Sequence, residues 1–364
     1  MLVLIKNEFI KLFSKKSSWI LQIFLILCMF GVAFMTTKSN ESMRSYRSET
    51  NMPAFKGGVE GIKTSDGRIL SEMMYWGEDE EDADGPEYVS LTLDETIPVL
   101  KDNLEMMKSQ PKAYDKSDVK VVEKQLAYYQ SYKDKGETPI DPMKGSTNAQ
   151  FFSSFGSIYF LPTLFAVVIA SMIIAAEFSG GTIKLLLTRP YSRLQILWSK
   201  YIVAILYGLL SSVVMAASAF AFSFMLPHQS LNAAISEEMG AKTALTLAGQ
   251  LFASNFLLMI LYITIALFFS AVIRSQALAV GVGMGVLFSG SILGSILPAV
   301  IAKYDWLKWI LFNLLGLNNQ VLDSAYMVGG DLSILATVIG LIIYIVLIYA
   351  ATLALFNKRD VALS

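Results

Sequence analysis

Apolar residues fall in long unbroken runs in this chain, and polar residues collect between the runs. The runs cover Trp19–Thr37, Phe151–Ala176, Ile196–Met225, Leu247–Ile273, Ala277–Ile301 and Ile334–Phe356. At about 1.5 Å of helical rise per residue, each can cross a hydrocarbon core of roughly 30 Å. Residues 1–16 follow another pattern. Leu2, Ile5, Phe9, Leu12 and Phe13 recur at helical spacing, and Lys6, Glu8, Lys11, Lys15 and Lys16 share the remaining surface. That predicts a short amphipathic helix lying in the membrane interface, with a plain charged flank as the simpler alternative. A secretory signal is the rival reading of the first run. The run is long for a signal core, and no small-x-small cleavage site follows Phe34, so an uncleaved anchor is expected.

Between the first two runs lies a polar insertion, 38–150, which holds 22 of the 30 acidic and 15 of the 29 basic residues. The chain therefore divides into 1–37 (interfacial helix and first span), 38–150 (polar domain) and 151–364 (spans two to six). Asn40–Pro86 is rich in Ser, Gly, Glu and Asp and reads as a loop. Its acidic run Glu78–Asp82 reads as a solvated stretch. Calcium binding is the sharper alternative, but the run lacks the glycine and ligand spacing of an EF-hand. Leu93–Met107 and Ser117–Tyr132 have helical patterns, Pro111 separates them and Gly136 supplies a stop, which predicts a helical hairpin. The expected fold is an all-α membrane protein: six transmembrane helices, an N-terminal interfacial helix and a large, mainly helical insertion after the first span.

Charge in the short loops orients the spans. Six crossings put both termini on one side. The segments on that side carry eleven basic residues: Lys6, Lys11, Lys15, Lys16, Lys184, Arg189, Arg193, Lys200, Arg274, Lys358 and Arg359. The two short opposite loops carry three, Lys242, Lys303 and Lys308. By the positive-inside rule both termini are cytoplasmic, and 38–150 faces outward.

Composition agrees with a membrane chain. Of 364 residues, 54% are hydrophobic and only 16% charged, against about 25% charged in soluble domains. This excludes a soluble enzyme, a disordered chain and a disulfide scaffold. The net charge of −1 gives no sign of nucleic-acid binding, and no nucleic-acid partner is expected. With one cysteine, Cys28, and one histidine, His228, neither an intrachain disulfide nor a Cys/His zinc site can form. The nearest approach to a phosphate loop, Gly57–Thr64, has Ile62 between Gly61 and Lys63 and so fails the pattern. No HExxH or G-x-S-x-G motif occurs. Ionisable residues are nearly absent from the middle of the spans, which argues against a self-powered carrier. No catalytic residue and no metal site are expected.

Two stretches have packing character. The fifth span carries Gly281, Gly283, Gly285, Gly290 and Gly294. Small residues at such spacing let helix backbones approach closely, in a fixed, moving or dimeric interface. Lys303–Leu317, with Tyr304, Trp306 and Trp309, is too short to span and is expected to lie on or dip into the outer leaflet.

The loop between the second and third spans reads AAEFSGGTIKLLLTRPYSRLQILWSKY, Ala175–Tyr201. Glu177 ends a span, Gly180 and Gly181 permit a turn, and Thr182–Thr188 predicts a short helix with Ile183, Leu186 and Leu187 on one face. Lys184, Arg189, Arg193 and Lys200 lie alongside, and Pro190 ends the helix. Such an apolar face either packs on the bilayer or on its own spans, or docks a soluble partner.

Glu177, Gly181, Thr182, Leu186, Leu187, Pro190, Ser192 and Arg193, followed by Lys200, resemble the cytoplasmic signature of type-2 ATP-binding-cassette (ABC) permeases, mostly bacterial exporters. The likeness covers about 1–37 and 150–364 and leaves 38–150 outside. It implies a bacterial plasma-membrane permease with no nucleotide site of its own. Two copies of a cytoplasmic ABC ATPase would bind ATP and Mg and push on the 182–189 helix and the N-terminal helix. A second permease, identical or homologous, and membrane lipid would be the other partners. The cargo expected is a peptide, drug or lipid-like molecule. A membrane-anchored sensor or immunity protein that binds an external ligand through 38–150 is the alternative, and a channel or secondary carrier is third.

Overall fold

The computed structural model describes residues 1–49, 54–63, 69–71, 87–114, 116–182, 191–273, 275–322, 329–330 and 332–358. The acidic run Glu78–Asp82 and Arg274 lie outside them. Along the chain run α1 (Leu2–Phe13), α2 (Lys16–Glu49), β1 (Gly57–Lys63), β2 (Ile69–Ser71), β3 (Glu87–Thr92), α3 (Leu93–Ser109), α4 (Lys116–Lys135), α5 (Asn148–Ser153) and α6 (Phe160–Ser179). They are followed by α7 (Arg193–Ser223), α8 (Ala244–Val272), α9 (Gln276–Ile301), α10 (Leu311–Leu314), α11 (Leu317–Val321) and α12 (Ile334–Lys358).

The elements gather into two compact units. The apolar unit comprises Met1–Phe30, Ser154–Phe220 and Ala248–Ser364; the polar unit comprises Gly31–Ser153 and Ala221–Leu247.

Among the described residues, five helices are long and apolar enough to cross a membrane: Lys16–Ser45, Phe160–Ser179, Arg193–Ser223, Ala244–Val272 and Ile334–Phe356. Gln276–Gly290, in α9, is a shorter apolar helix. The protein is a membrane protein with a helical apolar body.

The boundaries correct the sequence reading in two places. The first helix does not stop at Thr37 but runs to Glu49. The second apolar run is not one helix. It breaks into α5, a 3-10 turn at Ser154–Ile158 and α6, with Pro162 in the first turn of α6, where its missing N–H costs nothing. Lys303–Leu317 is a chain of short pieces: a 3-10 turn at Asp305–Trp309, then α10, with α11 beginning at Leu317. Asn313 braces them. Its amide donates to the carbonyls of Lys308 (2.8 Å) and Gly329 (2.9 Å), and its oxygen accepts from the Gly329 N–H (2.9 Å).

Within the apolar unit, Leu12, Leu25, Phe165, Ile169, Val203 and Tyr207 form one buried cluster, so α1 and the start of α2 pack on α6 and α7. A second cluster joins α8, α10, α11 and α12 through Leu258, Leu261, Ile265, Leu314, Leu317 and Leu341. Of the glycines of α9, Gly283 and Gly290 are closely packed, while Gly281 and Gly285 are not. A Cβ at Gly283 would collide with the Ser171 side chain of α6, and one at Gly290 would come within 2.7 Å of the Tyr262 hydroxyl and 2.9 Å of Leu315. Gly281 and Gly285 face open space. Residues 283 and 290 are two turns apart and share a face; 281 and 285 lie on the opposite one. The surroundings of Gly294 fall outside the described residues.

The polar unit contains the predicted hairpin, as α3 and α4. It also contains a three-stranded antiparallel sheet, order β2-β1-β3, where the sequence suggested a loop. Gly58 has no room for a Cβ, which would lie 2.6 Å from the Leu91 carbonyl oxygen. Thr92 caps α3 reciprocally with Glu95, and the Thr92 N–H and hydroxyl hold the Glu95 carboxyl below its ordinary pKa of 4.5. Val59, Ile97, Leu100, Met107, Val122 and three tyrosines, Tyr128, Tyr129 and Tyr132, make the core with Ala233 and Ala234. The last two come from the segment between α7 and α8, which the sequence reading left as a short loop. It is built into this unit by buried polar contacts. The Tyr132 hydroxyl donates to the Ala234 carbonyl (2.8 Å) and accepts from the Gln229 amide (2.7 Å). Glu237 accepts from the Gln125 amide (2.7 Å) and the Tyr129 hydroxyl.

Candidate coupling site

The end of α6, the start of α7 and the helix α1 meet at a buried knot of charge. Glu177 lies two residues before the end of α6, and its side chain is only 6% exposed. One carboxylate oxygen pairs with Lys11 of α1 and, at 3.5 Å, with Lys200 of α7. The other accepts from the Thr182 hydroxyl. Gly181, at φ +68°, provides the left-handed turn that carries the chain from the end of α6 to Thr182.

Lys200 is the more unusual member. Its side chain is 2% exposed, where an uncompensated ammonium would be very costly. Three acceptors surround its nitrogen: Glu8 of α1 at 3.1 Å, the Ile173 carbonyl of α6 at 3.2 Å, and Glu177. An ammonium has three N–H donors, so the site can satisfy all of them. Two acids and two lysines balance, and neither carboxylate is left alone.

Apolar and capping contacts brace the knot. Leu4 and Ile196 are buried together, with Phe178 and Tyr191 packed against them. Ser192 and Gln195 form a reciprocal cap at the start of α7: the Ser192 N–H donates to the Gln195 side chain (3.0 Å), and the Gln195 N–H donates back to Ser192 Oγ (3.2 Å). Arg193 Nη1 donates to the Phe356 carbonyl near the end of α12 (3.3 Å), where a cation complements the helix dipole. A second bracket holds α6 to α8: the Ile174 and Ala175 N–H groups lie 3.2 and 3.0 Å from Ser270 Oγ.

The structure thus brings together Glu177, Thr182 and Lys200 from the predicted constellation, with Gly181 in the turn before Thr182, while Arg193 reaches the Phe356 carbonyl instead. Ile183, Lys184, Leu186, Leu187, Arg189 and Pro190 lie outside the described residues. On α1, Leu12 is buried and Ile5 and Phe13 are partly buried against the core, as the helical pattern required. Leu2, however, is 83% exposed and Phe9 is exposed, while Leu4 takes the buried place. Glu8, assigned to the polar surface, is a buried partner of Lys200. A signal for this existed. Leu4, Glu8 and Lys11 are spaced four and three residues apart and share one helix face. A lysine placed four residues into an apolar run also demands a carboxylate from elsewhere.

The ion cluster links α1, the end of α6 and the first turns of α7.

Comparison with known proteins places the chain in a family. A family model described as "Protein of unknown function (DUF2705)" matches residues 124–362, and the chain belongs to that family. It is 27% identical over the full length of both chains to a Bacillus subtilis (strain 168) protein described as "Uncharacterized protein YhcI". It is also 28% identical to "Uncharacterized membrane protein YdbK" of the same organism, over 44% of this chain and 63% of that one.

Proposed function

We propose that this member of the family is the transmembrane permease subunit of an ATP-driven exporter of the ABC type. In this reading six helices cross a bacterial plasma membrane, with α9 as the fifth. Both termini are cytoplasmic, and the polar unit faces outward. Two copies of a separate ATPase subunit bind ATP and Mg, and two permeases, identical or homologous, line the route of an amphipathic cargo such as a peptide, drug or lipid.

The observation that carries the proposal is the charge knot. It ties the interfacial helix α1 to the end of α6 and the start of α7, at the mouth of the Thr182–Thr188 segment that resembles a coupling helix. ATPase closure would push on that segment and on α1. Because Lys11, Glu177, Lys200 and Glu8 hold these pieces together, the push would move α6 and α7 as one body.

A sensor or immunity protein is the alternative reading, and it draws on the folded polar unit. The two readings differ in what the cytoplasmic side requires, since only an exporter needs an ATPase partner. Exchanging Leu186 and Leu187 together for Asp is expected to cut cargo-stimulated ATP turnover of the assembled complex about tenfold or more, as loss of a docking hot spot does, with membrane insertion unchanged. Normal assembly and normal turnover in that variant would remove the docking role.

A further inference from the structure

The charge knot forms one wall of a cavity that the coupling role leaves unused. It lies between α1, the first turns of α2 and the side of α6, and has a volume of about 150 Å³. Its lining is two-sided. Lys11, Lys15 and Ser17 stand at one part, and Leu21, Val168 and Met172 at another.

The chemistry of the lining selects among ligands. Glu8 and Glu177 also border the cavity, but each is paired with a lysine. Among the described residues Lys15 makes no ion pair, so one positive charge is left over. The two helices that flank the cavity on this side also carry exposed apolar side chains outside it, Phe9, Ile10, Trp19, Ile20 and Ile23. The Trp19 indole N–H is bound to the Phe13 carbonyl at 2.9 Å, which fixes an amphipathic ring of the kind that sits at headgroup depth. A soluble anion has no use for the apolar lining, and a neutral lipid has no use for the spare lysine. A cavity of this size takes a group about as large as benzene, which corresponds to a short length of acyl chain, with the remainder lying in the bilayer.

We infer that this cavity is a binding site for an anionic phospholipid: Lys15 and Ser17 hold a singly charged phosphodiester headgroup, and the first part of one acyl chain enters beside Leu21, Val168 and Met172. The inference stands apart from the exporter reading, because the site needs neither an ATPase nor a cargo.

Native mass spectrometry of the full chain, purified in detergent and offered equal amounts of phosphatidylglycerol and phosphatidylcholine, tests it. Wild type is expected to retain the anionic lipid preferentially, and Lys15→Gln to lower that preference about fivefold, the effect of one lysine near an anionic headgroup. Lys6→Gln, on α1 but outside the cavity, is expected to leave the preference intact. Met172→Trp, which fills the apolar part, is expected to reduce uptake of both lipids; should it fail to fold, the two lysine variants still decide. Equal losses in Lys6→Gln and Lys15→Gln would mean diffuse surface charge and would overturn the site. So would an unchanged Lys15→Gln, or sn-glycerol 3-phosphate raising the melting temperature of wild type as much as the lipid does.

Discussion

Among the described residues, the buried charge of the apolar unit is gathered into one saturated knot, whereas the polar unit spreads its buried polarity over tyrosine hydroxyls and amides around a hydrophobic centre. The contrast follows from what surrounds each. Helices that pass through hydrocarbon can hold a charge only where every donor meets an acceptor, and Lys200 meets that condition with three. A unit in water can expose its charges. The pairs Lys108–Glu123 and Lys133–Asp94 lie on the surface of the polar unit at 2.7 and 2.8 Å, where such pairs contribute little. There the stability comes from burying Tyr128, Tyr129 and Tyr132 against α3 and the segment between α7 and α8. Both units pack around apolar clusters, but only the apolar one adds a closed ion cluster, and they should fail under different insults.

The largest expected effect is all-or-none and concerns the side of the membrane. With Cys28 replaced by Ala, a cysteine introduced at the exposed Lys112 should react with an impermeant thiol reagent added to intact cells. Labelling only after lysis would put the polar unit inside and undo the topology.

Next in size is the knot. Lys200→Met leaves Glu8 without its lysine and takes one of two lysines from Glu177, and is expected to cost about 3–5 kcal/mol, the usual penalty for breaking a buried ion pair. Thermal unfolding in detergent measures it. Combining it with Glu8→Gln should recover part of the loss, because a stranded carboxylate is removed. A surface-like cost below about 1 kcal/mol would mean that the knot is hydrated.

The polar unit should respond instead to alkali. Burial raises the pKa values of the Tyr128 and Tyr132 hydroxyls above the ordinary 10.0. A raised folded-state value gives stability that is complete below the unfolded value and is lost as pH rises past it. Protection of the polar unit against proteolysis should therefore hold to about pH 10 and fall beyond it. Tyr132→Phe removes its bonds to Ala234 and Gln229, with an expected cost of about 1–3 kcal/mol, and should flatten that alkaline loss. Equal alkaline sensitivity in Tyr132→Phe and wild type would take that tyrosine out of the account.

The sequence was a good guide where structure is local. Long apolar runs located the helices, and Pro111 with Gly136 framed the hairpin. It was a poor guide where contacts are distant. The strand Gly57–Lys63 carries three glycines and two charges, so its composition looks like a loop. It becomes a strand by pairing with Glu87–Thr92, beyond the acidic stretch. Ala233 and Ala234 enter a core that is otherwise about a hundred residues upstream, and nothing nearby announces it. The break at Ser154–Ile158 was hidden by the apolar side chains on either side, although Ser153, Ser154, Gly156 and Pro162 mark it. At the site, Glu177 was legible as the end of a span, but its partner Lys11 lies 166 residues away. Helix faces can be read from spacing; which face meets which requires the fold.

The exporter reading rests on a companion that consumes ATP. The direct measurement is to purify the tagged full chain from its native membrane in mild detergent, identify what accompanies it by mass spectrometry, and assay the complex for ATP hydrolysis. The account expects a cytoplasmic subunit with a phosphate-binding loop, ATP turnover in the wild-type complex, and loss of both when Leu186 and Leu187 are exchanged for Asp. Recovery of the chain without any nucleotide-binding subunit, still carrying out its transport in sealed vesicles, would contradict it.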